Sequence, residues 1–266
     1  MSLDSQAVTP DPLDPFAPFR LDDKVAIVTG ASAGLGARFA RVLDAAGARV
    51  VLAARRVERL DALAAELRDA HVVGCDLSVD GAPEALVAAT LAHYGRVDVL
   101  VNNAGTSTPT PALDEDTDKF AATLRVNLVA PFALSRECAR AMLANEAGGS
   151  IVNVASIWGV VGVGQIPEAG YAASKGGLIN LTRELSAQWA RRGVRVNCLA
   201  PGWFRSEMTE MMFGDEKSER WMRQRTPMGR GGEEHELDGA LLFLASGASS
   251  FLTGQTVCVD GGWTSI

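Results

Sequence analysis

Short apolar runs alternate with amphipathic stretches along the chain. Runs rich in Val, Ile and Leu occupy residues 24–29, 49–54, 71–74, 97–102, 151–155, 194–199 and 256–259. They are apolar almost throughout, which is the pattern of strands buried on both faces. Between them, apolar positions recur every three or four residues. This predicts a helix ending at residue 46, and others over 57–67, 83–94, 117–147, 170–191 and 234–245. Seven strands alternating with helices predict a doubly wound, seven-stranded parallel sheet with helices on both faces, a three-layer α/β/α arrangement. Ligands of such sheets bind beyond the carboxyl ends of the strands. Gly30, Arg55, Asp76, Asn102, Ser156 and Pro201 all fall at those ends.

Composition narrows the function classes. The 266 residues are 47% hydrophobic and 21% charged with a net charge of −7, and they contain no basic block, so nucleic acid is not expected as a partner. Cys75, Cys138, Cys198 and Cys258 are widely spaced and the three histidines form no ligand motif. That spacing suits a reducing cytoplasm and argues against a metal centre. No apolar run is long enough to span a membrane, and the amino terminus does not have the pattern of a secretion signal. Residues 1–20 hold four prolines among acidic and small residues, which suggests an extended arm. Residues 21–266 show no linker-like composition and no repeat, so one domain is expected there.

Candidate chemistry appears first after the opening strand. The turn Thr29-Gly30-Ala31-Ser32-Ala33-Gly34-Leu35-Gly36 leads straight into a helix. In that context glycines allow a pyrophosphate to approach the backbone, and the helix start offers free N–H groups. Farther on, Tyr171 and Lys175 sit four residues apart in a helical stretch, with Cβ atoms roughly 5–6 Å apart on one face. A cation beside a phenol lowers its pKa from about 10 and makes it a proton carrier for an alcohol or carbonyl. Ser156 supplies a hydroxyl from another element. Taken alone, the Tyr–Lys pair equally suits a solvated helix face. Pro131, four residues after Asn127, has no N–H for the Asn127 carbonyl, so it either frees that carbonyl for a water or simply kinks the helix.

With these residues in view, the chain resembles the classical short-chain dehydrogenase/reductase family, with its Rossmann-like fold, from about residue 21 to the end. Thr29 to Gly36 is similar to the family's T-G-x-x-x-G-x-G, Asn102-Asn103-Ala104-Gly105 to its N-N-A-G, Tyr171-x-x-x-Lys175 to its active-site pair, and Pro201-Gly202 to its motif after the sixth strand. The resemblance implies that Tyr171 is the general acid or base, Lys175 tunes it and holds the nicotinamide ribose, Ser156 orients the substrate oxygen, and Asn127 supports a proton-relay water. It implies cofactor contacts from Gly30, Ser32, Ala33, Gly34, Leu35, Gly36, Asp76, Leu77, Asn103, Ala104, Gly105, Pro201, Gly202, Phe204 and Ser206, where serine replaces the family's usual threonine. It also implies a homotetramer.

The end of the second strand bears on the cofactor. Ala54 stands where NAD-binding members usually carry an acidic residue, and Arg55 and Arg56 follow. Guanidinium groups suit a 2′-phosphate, so NADP is favoured over NAD. The same arginines also suit the solvated head of helix 57–67, and Ala33 lacks the basic side chain common among NADP users. Residues 203–232 occupy the family's substrate-lid position and are rich in Met and aromatic side chains, a composition equally suited to core or subunit contacts. Trp158, Gln165, Trp203 and Met208 are expected to line the substrate pocket with Ser156 and Tyr171. The expected function is an NAD(P)-linked oxidoreductase acting on a secondary alcohol or ketone. Candidate substrates are a 3-oxoacyl thioester, a sugar or polyol, or a hydrophobic ketone. The alternative is a non-catalytic dinucleotide sensor or scaffold.

Overall fold

The computed structural model describes residues 13–144, 148–207 and 209–266. The seven strands are β1 (Val25–Thr29), β2 (Arg49–Ala54), β3 (Ala70–Gly74), β4 (Val99–Asn102), β5 (Gly149–Val154), β6 (Val194–Pro201) and β7 (Thr256–Val259). They form one sheet in the order β3-β2-β1-β4-β5-β6-β7, and every pairing is parallel. The helices are α1 (Gly34–Ala45), α2 (Val57–Ala64), α3 (Ala82–Tyr94), α4 (Thr117–Leu124), α5 (Ala130–Ala144), α6 (Ala169–Trp189), α7 (Glu216–Arg225) and α8 (Asp238–Ala245). Order and direction agree with the expected doubly wound sheet.

Alternation within the strands builds two cores. In β1, Ala26 and Val28 pack with Phe39 and Leu43 of α1 and Leu241 and Leu244 of α8. Val25 and Ile27 point the other way, towards Leu86 of α3, Leu134 and Met142 of α5, and Leu185 of α6. Both faces of the five inner strands are therefore dry, which is why those strands lack a polar face, while the edge strands β3 and β7 are only half-buried.

Boundaries differ from the expectation where polar side chains intervene. β4 begins at Val99 because Asp98, almost wholly buried, accepts from the Val25 N–H at 2.9 Å and pairs with Arg96 at 2.6 Å. α2 stops at Ala64 rather than near residue 67, and the Arg68 N–H just beyond is bound by Asp44 of α1 at 3.0 Å. The expected helix 117–147 is α4, a π-helical turn over Arg125–Val129, and α5; residues 145–147 lie outside the described residues. In that turn the Ala130 N–H reaches back five residues to Arg125 O, directly before Pro131. α7 falls within residues 203–232, the stretch read as a possible lid and given no helix in the sequence reading. Most of the amino-terminal arm lies outside the described residues.

Candidate active site

The glycine turn closes on the fourth strand. The Asn103 amide donates to Thr29 O at 2.9 Å, and the N–H groups of Asn103 and Ala104 both donate to the Thr29 hydroxyl at 3.0 Å. Gly30 and Gly34 have φ of +67° and +51°. A Cβ at Gly36 would stand 2.2 Å from Gly30 O and 2.6 Å from Asn103 Nδ2, so no side chain fits. No side chain caps α1, and its first N–H groups are left for another partner. An uncapped helix start beside glycines that permit close approach fits the pyrophosphate of a dinucleotide.

The turn opens on a crevice of about 780 Å³ along the carboxyl ends of the strands. Every residue expected at the cofactor lines it: Gly30, Ser32, Ala33, Gly34, Leu35 and Gly36 from the turn; Arg55 and Arg56 after β2; Asp76 and Leu77 after β3; Asn103, Ala104 and Gly105 after β4; and Pro201, Gly202, Phe204 and Ser206 after β6. Asp76 is held below the usual carboxylate range by Ser78, whose N–H and hydroxyl donate to it at 3.0 and 2.7 Å. Arg56 donates to the Ser32 hydroxyl and, with Arg59, to Glu207.

At the other end the same crevice is lined by Ser156, Trp158, Gln165, Tyr171, Lys175 and Trp203. Ser156 follows β5; its hydroxyl accepts from the Trp158 N–H at 3.3 Å and lies near enough to Tyr171 to favour ionisation of the phenol. Tyr171 and Lys175 share one face of α6. Lys175 Nζ donates to Val154 O at 2.8 Å and lies 5.5 Å from the centre of the Tyr171 ring. The Tyr171 ring meets Trp158 edge-on at 6.4 Å, and Trp158 meets Trp203 at 5.0 Å.

The electrostatics depart from the expectation of an acidified phenol. Burial pushes the Tyr171 pKa up to about 12; Ser156 opposes the rise and Glu168 adds to it. Burial also pulls Lys175 down to about 8. In the protein alone the half-buried Tyr171 and the buried Lys175 each resist ionisation, and desolvation is the largest cause for both.

Asn127 does not line the crevice. It is fully buried in the π-helical turn, where its Oδ1 accepts from the Thr106 N–H and its Nδ2 donates to Thr106 O, both at 2.8 Å. Its amide also donates to Ser174 Oγ at 3.1 Å, and that hydroxyl donates to Tyr171 O at 2.7 Å. The side chain thus ties the loop after β4 to α6. A Cβ at Gly105 would stand 3.5 Å from Asn127 Oδ1 and 3.6 Å from Lys175 Nζ, which places both beside that glycine.

Met208 lies outside the described residues. Trp203 and Met212 line the crevice, whereas Trp221 and Met222 pack with Trp203 and Trp263 in a small core beside it. The lining residues not anticipated include three polar ones, Glu168, Glu207 and Thr209. Glu168 accepts from the Ser107 hydroxyl at 2.5 Å, and burial raises its carboxyl. Its position one helical turn before Tyr171 was an available signal. Glu207 had none, because its partners lie about 150 residues away in sequence.

Known proteins share this architecture. A family model described as enoyl-(acyl carrier protein) reductase matches residues 30–264. Galactitol 2-dehydrogenase (L-tagatose-forming) of Cereibacter sphaeroides is 43% identical over 248 residues, covering 92% of this chain and 97% of the relative. The crystal structure of a gluconate 5-dehydrogenase from Burkholderia cenocepacia, in complex with NADP and tartrate, is 38% identical with a TM-score of 0.87, covering 94% and 98% of the two chains. A short-chain type dehydrogenase/reductase from Mycobacterium marinum superposes with a TM-score of 0.90 at 31% identity, covering 94% and 99%. Sheet order, glycine turn and these likenesses agree: the chain belongs to the classical short-chain dehydrogenase/reductase family.

Proposed function

We propose that this chain is an NAD(P)-dependent oxidoreductase interconverting a secondary alcohol and its ketone, with Tyr171 exchanging the proton and a polyol or sugar as substrate. The observation that carries this reading is the meeting of Ser156, Tyr171 and Lys175 on the wall of the crevice that begins at the glycine turn. The nicotinamide ring, when bound, gives or takes the hydride. A phenol with a pKa of about 12 is protonated at neutral pH, so Tyr171 is ready to donate to a carbonyl oxygen. Ser156 holds that oxygen by a hydrogen bond. In the oxidative direction Tyr171 must first give up its proton, and the Lys175 ammonium, fixed by Val154 O, favours the phenolate. Asn127 acts as a positioning residue, setting α6 against the loop after β4.

Glu168 argues for a neutral polyol or sugar. Its carboxylate lies at the Tyr171 end of the crevice and offers a hydrogen-bond acceptor to a neighbouring hydroxyl. Among the described lining residues at that end, Lys175 is the one cation, and it is engaged with Val154 O, so a substrate carboxylate finds no free partner. The indoles of Trp158 and Trp203 add flat apolar wall for the C–H face of a sugar chain. The galactitol dehydrogenase relative supports the same class.

Arg55 and Arg56 on the crevice wall, and the NADP in the gluconate dehydrogenase crystal, support NADP as the preferred cofactor. Exposed Val129, just before α5, and Phe132, in its first turn, support a homotetramer assembled through that helix. The free cysteines suit a cytoplasmic setting. A panel of polyols, aldonates, ketones and 3-oxoacyl thioesters, followed at the nicotinamide absorbance band with NADP(H) and NAD(H) in both directions, tests the reading. Turnover of neutral polyols supports it, and turnover confined to acyl thioesters would contradict it.

A further inference from the structure

We propose that Glu207 sets the cofactor preference of this chain, by occupying the arginine cradle that the 2′-phosphate of NADP needs. The proposal rests on the reading that the crevice binds a nicotinamide dinucleotide. Three segments distant in sequence converge at this point. Arg56, at the head of α2, donates from Nη2 to Glu207 Oε2 at 3.0 Å and from Nη1 to Glu207 Oε1 at 3.3 Å. Arg59, one turn into the helix, donates to the same Oε1 at 2.5 Å. From the glycine turn, the Ser32 hydroxyl accepts from Arg56 Nε and Nη2 at 3.2 and 3.1 Å. Glu207 itself comes from the loop after β6 and lines the crevice.

A carboxylate and a phosphate monoester ask for the same thing: two oxygens set against one guanidinium fork. They cannot both have it. A bound 2′-phosphate must take Arg56 from Glu207 or accept a second anion beside it, whereas a ribose 2′-hydroxyl leaves the Glu207 pairs intact. Both arginines and Glu207 are roughly half exposed, and exposed pairs are weak. Glu207 is therefore a displaceable competitor. A phosphate carries about twice the charge of a carboxylate and still wins, by a reduced margin. The result is an enzyme that uses both cofactors with a modest lean towards NADP, in place of the strong preference that two unopposed arginines would give.

The test is equilibrium binding by calorimetry to the full chain, comparing adenosine 2′,5′-bisphosphate with adenosine 5′-monophosphate, which differ only in the 2′-phosphate. Glu207→Gln keeps the side-chain shape and removes the charge; Glu207→Ala removes the side chain's polar end. Both variants are expected to tighten the bisphosphate by about five- to tenfold. Binding of the monophosphate should stay within about twofold of the unmodified chain. If both nucleotides bind and their affinity ratio is the same in all three proteins, Glu207 does not compete and the proposal is overturned alone. If neither nucleotide binds the unmodified chain, the dinucleotide reading falls, and this proposal falls with it.

Discussion

Lys175 donates its ammonium proton to the carbonyl of Val154 at 2.8 Å, so the last residue of β5 fixes where the cation stands relative to Tyr171. The tether explains how a buried amine is kept in place with a pKa lowered to about 8. Its protonation then has a readable cost. Below pH 8 Lys175 is charged in both the folded and the unfolded chain, and its burial penalty is felt in full. Between about 8 and 10.5 the folded form releases the proton while the unfolded form keeps it, so stability rises with pH. The shift corresponds to about 3 kcal/mol. Chemical denaturation should show Lys175→Met more stable than the unmodified chain at pH 7, with the gap closing towards pH 10.5. A pH-independent gap would mean that Lys175 titrates normally.

Glu168 should exclude anions. At pH 8, Glu168→Gln is expected to lower KM for an aldonate about three- to tenfold, because one like charge is removed from a partly dry site. KM for a neutral polyol should change little. Because Glu168 also raises the Tyr171 pKa, the same variant should shift the alkaline limb of the rate profile to lower pH. An unchanged aldonate KM would place that carboxylate outside the substrate's reach.

Gly36→Ala is expected to abolish dinucleotide binding and to lower the melting temperature. The new methyl would be 2.2 Å from Gly30 O, which distorts the turn against α1. Calorimetric titration with NADPH and a thermal melt check both effects.

Much of this was legible in the sequence because the relevant signals are local. Apolar runs marked all seven strands, and the glycine turn and the Tyr171–Lys175 spacing each sit within one short segment. Long-range effects were not legible. The pKa values of Tyr171 and Lys175 depend on burial contributed by several elements, so spacing alone suggested an acidified phenol where the protein alone holds a raised one. The Glu207–Arg56 pair joins loops that only the fold brings together. α7 escaped notice because its one well-buried residue, Met222, leaves almost no apolar stripe to read.

The tryptophan cluster has polar atoms without partners. The indole N–H groups of Trp158, Trp203 and Trp221 are buried with no hydrogen-bond acceptor among the described residues. Trp221 meets Trp203 and Trp263 edge-on at 5.6 and 5.2 Å. Because Trp221 is only half-buried, Trp221→Ala should cost about 2 kcal/mol, below the range for a fully buried tryptophan. Trp221→Phe loses some packing but removes an unpaired donor, and the two effects nearly offset, leaving a change within about 1 kcal/mol. Urea denaturation of both variants checks the contrast; equal losses would show that the indole N–H has a partner.

The central claim is that the Tyr171 hydroxyl carries the proton of the reaction. It is tested most directly by Tyr171→Phe, assayed for NADPH binding by fluorescence and for turnover of the best ketone from the substrate panel. The account predicts NADPH affinity within a few-fold of the unmodified chain and a fall in kcat of about a thousandfold or more, within the range of lost acid–base catalysis. A variant that binds NADPH and keeps its kcat would contradict it.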